Sequence, residues 1–386
     1  KSRYMIQGNI RSDGSSRFSK GNRWGTFYSM SAGWVMSEES WFKNNLVDYL
    51  KLRGSIGQLG NERIGPEFPY QAAITFGNSY MYDKSSQSVK ALQHAAQVYY
   101  AFRDITWETT TTYGAGIDIA LLNNRLRFTG DYYYKKTTDM LLTLGFPSYS
   151  GFSAPSQNAG DMYTNGWDLE LGWSDTVGDL WYSISANLSD YRSKMGYLGD
   201  KRTVNGNLIY EEGSYYNEWY MYKSDGLFIT DADLFDETGK KYPTLTPNDK
   251  AGNIKYVDVD GNGVINADDK VRLGNSMPEY LYGGNVSLGW KSFDLNLSFQ
   301  GVGHQRVLFD TQWIQPLKEQ HGAVPSLLLG NYWSQHNTEE QNRLAKYPRL
   351  TYTNTTNTYA GSDYWLFNGA YFRMKNITLG YTLPQQ

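Results

Sequence analysis

The chain contains no cysteine among its 386 residues. Disulfides, thiolate metal sites and cysteine nucleophiles are excluded together, while the redox compartment stays open. Histidine is nearly as scarce. His94, His304, His321 and His336 are scattered without an HExxH or other paired spacing, so they read as ordinary loop or lumen residues. No run of about 18 apolar residues exists, which excludes a transmembrane helix. The net charge of −3 leaves no basic footprint for nucleic acid. GxSxG, Walker A and GxGxxG motifs are all missing. Glu38-Glu39, Glu211-Glu212 and Glu339-Glu340 are carboxylate pairs, but neighbours on a strand point to opposite faces. They read as solvated charge rather than acid/base dyads, and no enzyme activity is expected.

What the chain has is aromatic and glycine residues: Tyr 33, Trp 12 and Gly 39, with a mean hydropathy of −0.59. That mix suits strands with one polar face. In TWETTTTYGAGIDIALLNNRLRFTGDYYYKKTTDML, residues Trp107, Thr109, Thr111, Tyr113, Ala115, Ile117, Ile119 and Leu121 share one face. Glu108, Thr110, Thr112, Gly114, Gly116 and Asp118 share the other, which is the period of a strand. Asn123-Asn124 can take the positive φ angles of a tight two-residue turn. The same alternation recurs at Leu50–Gly57, Trp167–Ser174, Tyr182–Ser189, Asn285–Trp290 and Phe293–Gln300. About ten such strands are expected, many longer than the roughly 5–6 residues common in soluble proteins.

Connection lengths carry the architecture. Short links are expected at Asn123-Asn124, Ser174–Asp179 and Lys291-Ser292, and long ones over 143–159, 193–280 and 304–368. Short and long alternate along the chain, as in an antiparallel up-and-down transmembrane β-barrel of the bacterial outer membrane, with its short periplasmic turns and long extracellular loops. Its apolar face would meet lipid and its polar face a lumen. The competing reading is a large soluble antiparallel β protein. One segment breaks phase: in YFRMKNITLGYTLP, Phe372 and Met374 have one parity, and Ile377, Leu379 and Tyr381 the other. A bulge, or a strand top standing above the membrane, accounts for this. Trp107, Trp173, Trp181 and Trp290 lie near strand ends and fit interfacial girdles. The cluster Tyr215, Tyr216, Trp219, Tyr220 and Tyr222 is read as girdle or loop packing ahead of a sugar-stacking wall. Substrate residues are not assigned.

The stretch DVDGNGVINADD, from Asp258 to Asp269, matches a calcium loop without helical flanks. Asp258, Asp260 and Asn262 stand at positions 1, 3 and 5, Gly263 at the sharp turn, the Val264 carbonyl at 7 and Asp269 at 12. Aspartate at position 12 is shorter than the usual glutamate, so weak, structural Ca²⁺ binding is expected, on the order of 10⁻⁴–10⁻³ M. Ile265 is expected to pack inward. The ion would pin a long loop that lacks a core of its own. The alternative is an Asx- and Gly-rich turn without metal.

Four stretches resemble the SusC/RagA family of TonB-dependent outer-membrane transporters. They are IRSDGSSRFSKGNRWGTFYSMSAGW (10–34), LKLRGSIGQLGN (50–61), VDVDGNGVINADDKVRLGNSMPEYLYGGNVSLGWKSFDLNLSFQGVGH (257–304) and YPRLTYTNTTNTYAGSDYWLFNGAYFRMKNITLGYTLP (347–384), in the family's order, with a weaker echo at EEGSYYNEWYMYKSDGLF (211–228). The resemblance implies a barrel of about 22 strands, of which residues 1–386 are expected to be a C-terminal portion lacking the plug and the N-terminal regions. The opening KSRYMIQGNI, which reads directly as a strand, fits a fragment. The resemblance further implies active import of glycans or peptides, a SusD-like surface lipoprotein as lid, coupling to the TonB complex through the missing N-terminal part, and a dimer of the transporter–lipoprotein pair as one assembly. A passive porin, a lid-free TonB-dependent receptor and a soluble glycan-binding β protein remain as alternatives.

Overall fold

The computed structural model describes residues 3–63, 68, 70–71, 74–85, 88–97, 101, 103–143, 149, 151, 156–199, 202–309, 324–351 and 355–383. Ten long strands form one antiparallel sheet in which every spatial neighbour is also the neighbour in sequence. They are β1 (Tyr4–Gly14), β2 (Trp24–Val35), β3 (Val47–Asn61), β4 (Glu108–Leu121) and β5 (Leu126–Thr138). After these come β6 (Met162–Val177), β7 (Leu180–Met195), β8 (Glu279–Trp290), β9 (Phe293–His304) and β10 (Tyr371–Tyr381). This is the up-and-down order expected from the alternating links.

From β3 onward loop length segregates by end of the sheet, whereas the links 15–23 and 36–46 do not follow the expected alternation. At one end β6 turns into β7 through Gly178-Asp179, and β8 into β9 through Lys291-Ser292, with Gly178 (φ 62°) and Lys291 (φ 55°) in the left-handed region. The β4–β5 turn is longer than the expected two residues. It runs from Leu122 to Arg125, because Leu122 (φ 59°) joins Asn123 and Asn124 at positive φ. At the other end β5–β6, β7–β8 and β9–β10 are joined by 139–161, 196–278 and 305–370. The link 62–107, which the alternation of short and long had left unmarked, carries the hairpin Ile74–Asp83 with Ser88–Gln97.

The phase break in β10 is a bulge. Ser298 pairs with Asn376 and Phe299 with Met374, leaving Lys375 unopposed. The inserted residue returns Phe372 and Met374 to the face of Ile377, Leu379 and Tyr381.

The best-buried core is not under the sheet. It lies where the two longest loops pack on each other. Ile254, Tyr256 and Ile265 from 196–278 meet Leu328 and Trp365 from 305–370. Asn357 ties the loops together. Its amide donates to Asp249 Oδ2 (2.8 Å) and Ile254 O (3.2 Å), and its Oδ1 accepts from Ile254 N. The expectation that the long loop has no core of its own is corrected, while Ile265 packs inward as expected, buried in this shared cluster. A second, smaller cluster joins Phe18, Ile105 and Trp107 near the same end.

Candidate functional site

The sheet presents two chemically different faces. On one, Leu169, Leu171, Ile184, Leu188, Ile377 and Leu379 are all exposed, at 37–72 %. Among the described residues no second layer covers them, as a soluble sandwich would require. In a bilayer the same face is in its own solvent. Aromatic rings mark both ends of this belt. At the short-turn end Trp290, Phe293 and Tyr381 form a run across three strands, with centroids 6.5 and 4.7 Å apart. At the long-loop end Tyr113, Tyr134 and Tyr163 step across β4, β5 and β6 at 6.2 and 6.3 Å. On β6, Trp173 and Tyr163 stand ten residues apart, about 33 Å along the strand, which at a tilt of about 40° spans the roughly 25 Å of an outer-membrane barrel's apolar band.

Two of the expected girdle tryptophans are corrected. Trp181 has the opposite parity to its neighbour Tyr182 and lies over Gly289. Trp107 packs between Phe18 and Phe27 at 5.1 and 5.5 Å, inside the small loop-end cluster. Trp173 and Trp290 keep the belt-face parity.

The opposite face is polar. Arg53 on β3 reaches over β4 to β5, and its Nη2 donates to Asp118 Oδ1 (3.0 Å) and Asp131 Oδ2 (2.9 Å). A single guanidinium thereby bridges three strands. The alternation placed Arg53 and Asp118 on polar faces, but not in contact with each other.

Above the sheet, Asp258, Asp260 and Asp269 converge, each with a carboxylate oxygen within 4.8 Å of the others. Backbone donors shape the turn. Gly261 and Gly263 (φ 75° and 84°) donate to the two Asp258 oxygens at 2.8 Å, and Val264 donates to Asn262 Oδ1 at 2.8 Å. Asp269, fully buried, accepts from Val259 and Asn266 at 2.8 Å each. Desolvation pulls the Asp258 pKa up, yet the Gly263 and Gly261 N–H groups outweigh it and hold the carboxyl below its ordinary value. Charged oxygens at 1, 3 and 12, with a glycine turn between, are a hard-cation donor set.

The remaining sequence candidates disperse. Tyr220 is buried, Tyr222 packs on Tyr256 at 5.4 Å, Tyr216 meets Tyr210, and Trp219 Nε1 donates to Arg306 O. The aromatic cluster is loop packing. Glu39 accepts from Trp34 and Tyr4, Glu211 faces Arg272 at 3.6 Å, and Glu339 pairs with Arg343 at 2.6 Å. His304 faces Glu279 at 3.4 Å, His94 contacts Ser79, and His321 lies outside the described residues. Sequence reasoning missed Glu218, which is buried against Arg272 at 2.8 Å and caps the Tyr215 N–H.

A ten-stranded meander with a lipid-suited face and polar inner wall narrows the fold to outer-membrane barrels. Residues 1–386 match the family model described as TonB dependent receptor-like, beta-barrel. The chain belongs to this family. It is 30% identical to TonB-dependent receptor P3 of Formosa agariphila, over all of this chain and 37% of that protein. It is 29% identical to TonB-dependent receptor SusC of Bacteroides thetaiotaomicron, over 98% of this chain and 36% of that one. Among solved structures, that of the RagAB peptide transporter superposes with a TM-score of 0.75 at 25% identity, covering 99% of this chain and 39% of the other. The chain thus spans a little over a third of the length of the relatives it matches. It is a wall segment of a SusC/RagA-type outer-membrane barrel, from a family of receptors and transporters rather than enzymes.

Proposed function

We propose that the protein to which this segment belongs imports oligomeric nutrients, glycans or peptides, across the outer membrane in a TonB-dependent manner, under a SusD-like surface lipoprotein. The observation that carries this reading is the loop assembly. The two longest loops fold onto one core, and with the long-loop end facing outward they would give a built platform where a lid protein and cargo arrive. The relatives add to it: one is named SusC, and one solved structure is of a peptide transporter. Energy coupling would run through the TonB complex and parts of the barrel outside this chain. A paired transporter–lipoprotein dimer is the larger assembly proposed. Extraction of the full-length protein from its native membrane in mild detergent, followed by native mass spectrometry, tests the lid. A co-purifying lipoprotein with bound oligomer supports the proposal, whereas an intact barrel emerging alone favours a lid-free receptor. Uptake that persists after collapse of the inner-membrane proton gradient would favour a passive porin.

We infer that Asp258, Asp260, Asn262, the Val264 carbonyl and Asp269 hold Ca²⁺ as a structural ion. The convergence of three carboxylates on a glycine turn supports this. The ion would neutralise their mutual repulsion and fasten the turn to the shared core through buried Ile265 and Asp269. Calcium titration of the full-length protein decides it. Absence of binding at millimolar Ca²⁺ would leave the plain Asx turn.

A further inference from the structure

A groove of about 420 Å³ opens on the loop assembly, between the two longest connections. Asp231 and Lys250 reach it from the first, and Trp333, Asn337 and Arg349 from the second. Gly252 sets the spacing. It lies at φ +84°, and a Cβ there would run into the Trp333 ring and the Arg349 Cβ, 2.8 Å away. Only glycine lets both side chains lie against this backbone. Arg349 N donates to Gly252 O at 2.8 Å. Trp333 is locked at two points, N to Tyr347 O and Nε1 to Ile229 O, each 2.9 Å.

Arg349 is held in place by its backbone, and its half-buried side chain makes no ion pair among the described residues. Its Nε is buried without a partner. Asp231, the nearest acid acting on it, spends an oxygen on the Ala251 N–H at 3.0 Å. Glu339, on the groove's rim, is taken by Arg343. Lys250 is exposed and forms no ion pair among the described residues. A half-buried guanidinium with an unmet donor is unfavourable, and a planar carboxylate is the partner its fork fits.

We propose that this groove binds a carboxylate of the cargo on Arg349, with Lys250 assisting and the adjoining ring or side chain resting on Trp333. The inference rests on the importer reading and adds a substrate class to it, acidic oligomers. The carboxylate has two chemical sources, a sugar acid within a glycan or the C-terminus of a peptide.

Calorimetric titration of the purified full-length transporter with its lipoprotein tests this. Two probe pairs are used: trigalacturonate against its methyl ester, and trialanine free acid against its C-terminal amide. The expected result is that one acid binds at least about tenfold more tightly than its neutral counterpart, and the pair that discriminates names the source. Arg349→Gln removes the discrimination and Arg349→Lys keeps part of it. If Arg349→Gln does not assemble, Lys250→Gln, on the exposed side, carries the same test with a smaller loss. Equal binding of acid and neutral forms in both pairs overturns the inference, as does discrimination that survives Arg349→Gln. Proton-gradient-dependent uptake of all four probes, acids and neutral forms, by cells reports separately on import. If that uptake is absent while acid discrimination is present, the importer reading fails and the groove stands.

Discussion

Arg53 on β3 and Asp131 on β5 meet at 2.9 Å although a whole strand runs between them. Gly116, the β4 residue paired with both Arg53 and Asp131, makes this reach feasible, since a Cβ there would strike the Asp131 carboxylate and the Arg53 guanidinium. The bridge sits on the face assigned to the lumen, where water access weakens an ion pair without removing the repulsion between the two carboxylates it serves.

Arg53→Met in the full-length protein is therefore expected to destabilise the folded barrel by about 1–2 kcal/mol. The loss should shrink when Asp131→Asn is added, because one of the two stranded charges is then gone. Denaturant unfolding of single and double variants reads this out. Additive effects would show that the contact contributes nothing.

The apolar belt makes a sharper prediction by face. Leu169→Arg, near mid-height on the lipid side, should cost about 2–4 kcal/mol of folding free energy in a bilayer. Ser185→Arg, on the lumen side of the neighbouring strand, should cost less than about 1 kcal/mol. Refolding titrations into lipid vesicles compare the two. Similar costs would contradict the assignment of faces.

Deleting Lys375 should leave β10 assembled as a regular strand, because Phe372, Met374, Ile377 and Leu379 then alternate without a bulge and keep their partners on β9. Deleting Thr378, which is paired with Asn296, instead turns one end of the strand inside out. Loss of the heat-modifiable folded band on cold gels is expected for the Thr378 deletion, while the Lys375 deletion should retain it. The opposite pattern would contradict the bulge.

Much of this wall was legible in the sequence because its two faces meet different solvents, so period-2 patterning is strong in every strand. Even the β10 bulge announced itself as a change of parity between Met374 and Ile377. Turn details were less legible: nothing in Leu122 signals a positive φ, since its conformation is set by the Leu46 carbonyl that its N–H reaches. The loop core was invisible because its contacts are remote, with Asn253 meeting Thr358 across 105 positions. Periodicity has no purchase on such irregular backbone. The Arg349 groove was missed for the same reason, as Gly252 and Trp333 belong to different loops.

Trp365 anchors that remote core, fully buried among Tyr347, Tyr359 and Tyr364 with its Nε1 on Thr358 O. Trp365→Ala is expected to cost about 3–5 kcal/mol, confined to the loops. Hydrogen exchange should show lost protection at Ile254 and Tyr256 and unchanged protection in β6 and β7. Spread of the loss into the sheet would mean that the loops and the wall fold as one unit.

The calcium turn allows the ion's role to be separated from that of the turn itself. Asp258→Asn removes a charge from the donor set and keeps a side-chain oxygen for only one of the Gly261 and Gly263 N–H groups. It should weaken Ca²⁺ binding at least about tenfold from an affinity on the order of 10⁻⁴–10⁻³ M. Asp268→Asn, exposed and outside the converging trio, should leave affinity unchanged. Adding a chelator to the wild-type protein should speed proteolytic cleavage within 258–269, and should do so far less in Asp258→Asn, whose loop is already free of the ion. If chelator and substitution each leave cleavage at the wild-type rate, the backbone hydrogen bonds alone hold the turn, and Asp269, satisfied by Val259 and Asn266, is a capping residue rather than a ligand.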